Sequence, residues 1–103
     1  MSAERRRNRI ELAGTVIAAP ERRVTPAGTP VLSFRLRVEA DPANPAVAAC
    51  EIPVVLVGER DETRALAAGG AVLVEGSLTE RRWRRGGAAR SRYEVVAAMV
   101  RLM

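Results

Sequence analysis

Six arginines and one tryptophan fall within twelve positions, Arg81-Arg-Trp-Arg-Arg-Gly-Gly-Ala-Ala-Arg-Ser-Arg92, with no acidic residue among them. Guanidinium groups at this density suit a polyanion. Each contact with a phosphate releases condensed counterions, and guanidinium planes also stack on bases. Trp83 inside the run offers a platform on which any base can stack, worth about 1–3 kcal/mol per base. Gly86-Gly87 lets the tip of the segment move and follow a flexible strand. The competing reading is a solvated hairpin tip, with Trp83 packed against the end of the domain.

Four more arginines stand in residues 5–9, again without an acid. Elsewhere seven arginines oppose twelve acidic residues, so the net charge of +5 is concentrated in one loop and one arm. Arg5–Arg7 read equally well as a disordered, soluble tail. Arg22 and Arg23 follow the first strand. Arg35 and Arg37 share the exposed face of the second. Either pair alone reads as solvated surface, but with the basic loop they continue a track across one face.

Other chemistry has little to work with. The chain has no Lys and no His, and Cys50 is its one cysteine. Schiff-base and phosphate-loop lysines, Ser-His and Cys-His pairs, thiolate zinc clusters and internal disulfides are therefore excluded. Glu11, Glu75 and Glu94 sit singly on strands, and Cys50 reads as a small core residue. Neither an enzyme nor a metal or cofactor site is expected.

The elements that must carry the arginines are strands. The 103 residues make one domain, with a basic arm over 1–8 and a folded unit over 9–103. Three aromatics, Phe34, Trp83 and Tyr93, leave the core aliphatic. Period-two alternation predicts a first strand from Arg9 to about Ala19, with a bulge or bend at Gly14. Pro26-Ala27-Gly28 marks a turn. The second strand, Val31 to Glu39, alternates most cleanly, with Leu32, Phe34, Leu36 and Val38 inward. A third strand covers about Ala49 to Val57. Asp61 to Ala68 reads as a short helix with Asp61 as its cap and Gly69-Gly70 as its stop. A fourth strand spans Ala71 to Thr79. A fifth, about Arg92 to Leu102, is apolar on both faces.

Five strands with one short helix between the third and fourth predict an all-β, five-stranded Greek-key barrel of the OB type. An SH3-like barrel is the main competitor and usually lacks that helix. In an OB barrel the loops between strands one and two and between strands four and five frame the binding face. The basic run falls in the second of these. No apolar run approaches the ~18 residues of a membrane helix. The basic N-terminus has no hydrophobic region behind it, so a soluble, cytoplasmic chain is expected.

The stretch Asn8-Arg-Ile-Glu-Leu-Ala-Gly-Thr-Val16, then Ala19-Pro-Glu-Arg-Arg-Val-Thr-Pro-Ala-Gly-Thr-Pro30 and Phe34-Arg-Leu36, resembles two related families. These are the bacterial single-stranded DNA-binding proteins (SSB) and their shorter paralogues, the primosomal replication protein N (PriB) family. Cys50-Glu-Ile-Pro-Val-Val-Leu-Val-Gly58 looks like the PriB third strand. The sequence also stops at Met103 without the Gly/Pro/Gln-rich linker and acidic tip of SSB, and the long basic loop matches PriB. By position the resemblance implies DNA-contacting roles for Arg82, Arg84, Arg85 and Arg90, with Arg92 and Arg23 beside them. The charge pattern adds Arg35, Arg37, Arg81 and Trp83. Family members can carry a stacking Trp just before the third-strand Cys, where this chain has Ala49.

The function this resemblance implies is replication restart. Such a protein binds single-stranded DNA, stabilises a PriA-type restart helicase on it, and helps pass the complex to a helicase-loading factor. A homodimer is expected, from the two-faced apolar strands and from the resemblance. The alternative is a tail-less SSB-type coating protein. A protein-only interaction module and an RNA-binding OB protein remain open.

Overall fold

The computed structural model describes residues 7–58 and 60–103. Arg5 and Arg6 of the basic arm, and the Asp61 side chain read as a cap, lie outside the described residues.

Six strands form: β1 Ile10–Val16, β2 Glu21–Val24, β3 Pro30–Val38, β4 Cys50–Val57, β5 Ala71–Arg85 and β6 Ala88–Leu102. Strand β3 behaves as its alternation dictates. Leu32, Phe34 and Leu36 are buried while Arg35 and Arg37 are exposed. It pairs antiparallel with β4 from Val31↔Val57 to Val38↔Cys50. Strand β4 meets β6 in a short parallel contact at Val54↔Val95 and Val55↔Val96. Strands β6 and β5 pair antiparallel, β5 pairs with β1, and β1 reaches β3 at Thr15↔Arg37. The ring β1-β5-β6-β4-β3-β1 is the closed topology of an OB barrel, filled by Val16, Leu36, Val54, Val74, Val95 and other aliphatic side chains.

The predicted first strand stops short at Val16, and residues 21–24, read as part of the loop after Pro20, form a strand of their own. The chain leaves β1 at Val16 and resumes as β2, which folds onto β3 through the Thr25–Thr29 turn with Gly28 at φ 87°. All four β2 residues are exposed. With no buried face there is no alternation to read, so the strand is defined by its partner alone.

The predicted helix is only one 3-10 turn, Asp61–Thr63. Eight residues are too few to nucleate a stable helix without a strong apolar stripe, and Leu66 is the one large apolar residue available. Leu66 inserts into the core, and the chain then returns to β1 through Gly69 N–H to the Val16 carbonyl at 2.7 Å.

The bulge is not at Gly14. It lies where Glu75 faces Met99 and Gly76 faces Ala97, which leaves Ala98 as the extra residue. This offset resolves the two-faced look of β6: Val95 and Ala97 point inward before it, Val100 after it. Gly14 serves a different need. A Cβ there would collide with the Arg37 carbonyl, at the place where β1 crosses from β5 to β3. Cys50 is exposed rather than in the core. It shares the inward parity of Ile52 and Val54 but lies at the first residue of β4, beyond the packed region.

Candidate nucleic-acid interface

The basic segment is a β-hairpin rather than a mobile loop. Strands β5 and β6 stay paired beyond the barrel, from Glu80↔Tyr93 to Arg85↔Ala88. Only Gly86 and Gly87 are left to connect them, at φ 58° and 80°. Positive φ at both central residues is the signature of a type I′ turn, whose twist matches a right-handed ribbon. Gly-Gly therefore fixes a tight reversal here, and Arg84 donates to the Gly87 carbonyl at 3.3 Å.

The strand pleat sorts the arginines. Arg81, Trp83 and Arg85 share one face with their cross-strand partners Arg92, Arg90 and Ala88. Arg82 and Arg84 share the other face with Ser91 and Ala89. On the first face the Arg92 guanidinium stands over the Trp83 ring, 5.9 Å from its centroid. Trp83 is 40% exposed. On the second face Arg82 is tied to Glu80 at 2.6 Å. That hydrogen bond holds the Glu80 carboxyl below its ordinary value of 4.5, against a smaller opposing effect of burial.

The Trp83 face of the hairpin turns toward the barrel. Arg81 and Arg92 line a hollow of about 270 Å³ with Ser33, Arg35, Pro53, Val55 and Glu94 from the outer sheet face. Ala18, Ala19 and Glu21, from the β1–β2 connection, close its far side. A larger hollow of about 500 Å³ nearer the tip is bordered by Trp83 and Arg90 together with Arg82, Arg84, Ala89 and Ser91 of the opposite face. Both loops that frame an OB binding face thus meet over the same patch of sheet.

Of the residues singled out in the sequence, the fold gathers Arg35, Arg81 and Arg92 around the hollow. Trp83 adjoins Arg81 and Arg92 beside it, with Arg85 and Arg90 toward the tip. Among the described residues none of Arg81, Arg85 and Arg90 takes part in an ion pair. Arg35 lies 3.7 Å from Glu51. Arg37 is held by Glu39 at 3.1 Å, outside the hollow. Arg23 is exposed on β2 opposite Val31, also outside it. Arg22 does not extend the track: its guanidinium clasps the carbonyls of Thr63, Arg64 and Leu66.

Glu94, isolated in sequence terms, is the residue that sequence reasoning missed. It is 8% exposed and lies 3.6 Å from Arg92. The i, i+2 spacing of Arg92 and Glu94 on a strand was the available signal, since it puts both side chains on one face.

The sequence matches the profile described as "Single-strand binding protein family" over residues 7–103. It is 34% identical over 77 residues to "Replication restart protein PriB" of Enterobacter sp., covering 70% of this chain and 74% of that protein. The protein of the same name from Klebsiella pneumoniae is 32% identical with the same coverage. Among solved structures, "Plasmodium falciparum SSB complex with ssDNA" superposes with a TM-score of 0.77 at 19% identity. That match covers 95% of this chain and 96% of the other. An OB barrel whose paired basic strands overhang its outer face, with these likenesses, has one assignment: the chain belongs to the single-strand binding protein family.

Proposed function

We propose that the chain binds single-stranded DNA and acts in replication restart, stabilising a PriA-type helicase on the DNA and helping to assemble the helicase-loading complex. It does so without making or breaking a covalent bond. One observation carries the binding reading: unpaired arginines and a part-exposed Trp83 share the hairpin face that overhangs the barrel. Phosphates engage Arg81, Arg85 and Arg90, and a base stacks on Trp83. The names of the relatives support the restart role. The structural neighbour, a complex with single-stranded DNA, supports the choice of DNA.

The test is titration of labelled single-stranded DNA, duplex DNA and RNA at two salt concentrations. Single-stranded DNA should bind most tightly, with log affinity falling linearly against log salt. Equal affinity for duplex, or a preference for RNA, refutes the assignment. The helicase role is read separately, as a longer residence of the helicase on a forked substrate when this protein is added.

The same reading includes a homodimer. Val55 and Val96 are neighbours by register, and Val57 beside them is 59% exposed. They form an apolar strip on the side of the hollow away from the hairpin. Light scattering should give twice the 11.1 kDa of one chain. A second reading, a tail-less SSB-type coating protein, draws on the match to the SSB profile. A large, cooperative site size on long single strands would favour it.

A further inference from the structure

Glu94 has an unusual setting for a carboxylate. Its side chain is nine-tenths buried, and it accepts no hydrogen bond from the described residues. The Arg92 guanidinium, at 3.6 Å, is beyond hydrogen-bond reach. None of its oxygens is sealed from the surroundings, and the hollow between hairpin and barrel is where they emerge. A carboxylate whose oxygens stay accessible accepts from water there, and the N–H groups of a ligand can take that water's place.

The rest of the hollow says what kind of ligand that is. Its walls include Pro53 and Val55 from the outer sheet face and Ala18 and Ala19 from the β1–β2 connection, which suit a flat apolar surface. Arg35 and Arg81 bring positive charge suited to an anionic backbone. At about 270 Å³ it lies just under the ~300–1,000 Å³ of sites for larger ligands, so it takes one ring system. A single nucleotide has this combination, with the apolar faces and polar edge of its base and an attached phosphate.

We propose that this hollow receives one base of the bound strand by its amino-bearing edge, with Glu94 as the specificity-determining acceptor and Arg92 as its donor neighbour. The proposal rests on the single-strand reading above. Cytosine fits the pair: its N4 amino group donates to Glu94, while N3 and O2 accept from Arg92. Guanine fits too, with N1–H and the N2 amino group toward Glu94 and O6 toward Arg92. Thymine and uracil fail, because O4 replaces the amino group and sets a carbonyl oxygen against the carboxylate. The hairpin tip reads no sequence; this hollow reads one edge.

The test compares oligodeoxycytidine with oligodeoxyuridine of about twelve nucleotides, inside the ~4–16 that an OB barrel covers. The two differ only at the edge in question. Anisotropy titration at mildly alkaline pH should give cytidine the tighter binding by about tenfold, or about 1.4 kcal/mol. In Glu94→Gln, whose amide both donates and accepts, the two should bind within about twofold of each other. Equal binding of both by the unmodified protein overturns the proposal while the single-strand reading stands. A rise in affinity for both oligomers by the same factor in Glu94→Gln also overturns it, since Glu94 then acts only as a repelling charge. Binding of neither oligomer at low salt overturns the single-strand reading and this inference with it.

Discussion

The Arg92 guanidinium covers the Trp83 ring at 5.9 Å from its centroid, so the indole is held by a cation rather than by the core. Such contacts are worth about 0.5–1 kcal/mol at exposed sites. They orient the ring without burying it. Trp83→Ala should weaken single-strand binding by about 1–3 kcal/mol, and binding should quench the emission of the unmodified protein. Emission that oligonucleotide leaves unchanged refutes the stacking role.

Pairing geometry divides the arginines into two groups with different salt signatures. Arg81 and Arg90 lie on the Trp83 face without ion-pair partners among the described residues. Arg82 lies on the opposite face, bound to Glu80. Arg81→Ala and Arg90→Ala should each reduce the slope of log affinity against log salt by about 0.7, the single-strand value per phosphate. Arg82→Ala should change it less. A larger effect at Arg82 would mean that the DNA runs along the other face.

The turn sets the hairpin's rigidity. Gly87→Val forces a β-branched residue to φ 80°, at a local cost of at least about 1–2 kcal/mol. The ribbon lies outside the barrel, so it should fray locally without lowering the melting temperature much. Affinity should fall all the same. Hydrogen exchange of the amides in 80–93 would report the fraying directly.

Gly76→Ala acts on the barrel itself. Its Cβ would run into the Val96 backbone carbonyl at the bulge, and backbone cannot rotate away as a side chain can. Destabilisation of about 1–3 kcal/mol is expected. Melting temperature should drop by about 4–8 °C per kcal/mol in a domain of this size.

Acid should weaken two contacts on β5. The carboxyl of Glu75 is held below 4.5 by a proton-sharing contact with the facing Glu11 carboxyl and by a hydrogen bond that Arg9 donates at 3.2 Å. Glu80 is lowered by Arg82. A lowered carboxyl favours the folded state fully above its unfolded value near 4.5. That contribution disappears as pH falls through the folded value. Thermal melts of the unmodified protein and Glu75→Gln should therefore differ at neutral pH and converge below about pH 4. A constant difference across that range excludes the linkage.

The legible parts of this fold were those with a buried face. Leu32, Phe34 and Leu36 announce β3 because the core lies beneath them, and the turn at Gly28 follows from its residue types. The outer halves of β5 and β6 have no core on either face. From Glu80 to Arg85 the only apolar side chain is Trp83, so period two has nothing to mark and the run reads as a loop. Ala98 hid the register in another way: one extra residue shifted the inward set from Ala97 to Val100. For the candidate site, the sequence indicated the charge and Trp83. The division of arginines between two faces, and the burial of Glu94 beside Arg92, emerge only from pairing.

Outside the barrel the ribbon has two unpaired edges. Among the described residues β5 loses its β1 neighbour beyond Gly76, with the Asn8 side chain bonding the Leu78 N–H and carbonyl before the edge opens, and β6 touches β4 only at Val95 and Val96. Rows of unpartnered backbone N–H and C=O groups invite another copy to add a strand, the first step of aggregation. Six like charges along the ribbon oppose that step, because edge-to-edge pairing would bring the guanidinium groups of two copies together. The same arginines thus act as gatekeepers. Substituting several at once by neutral β-formers should produce self-association before it produces unfolding.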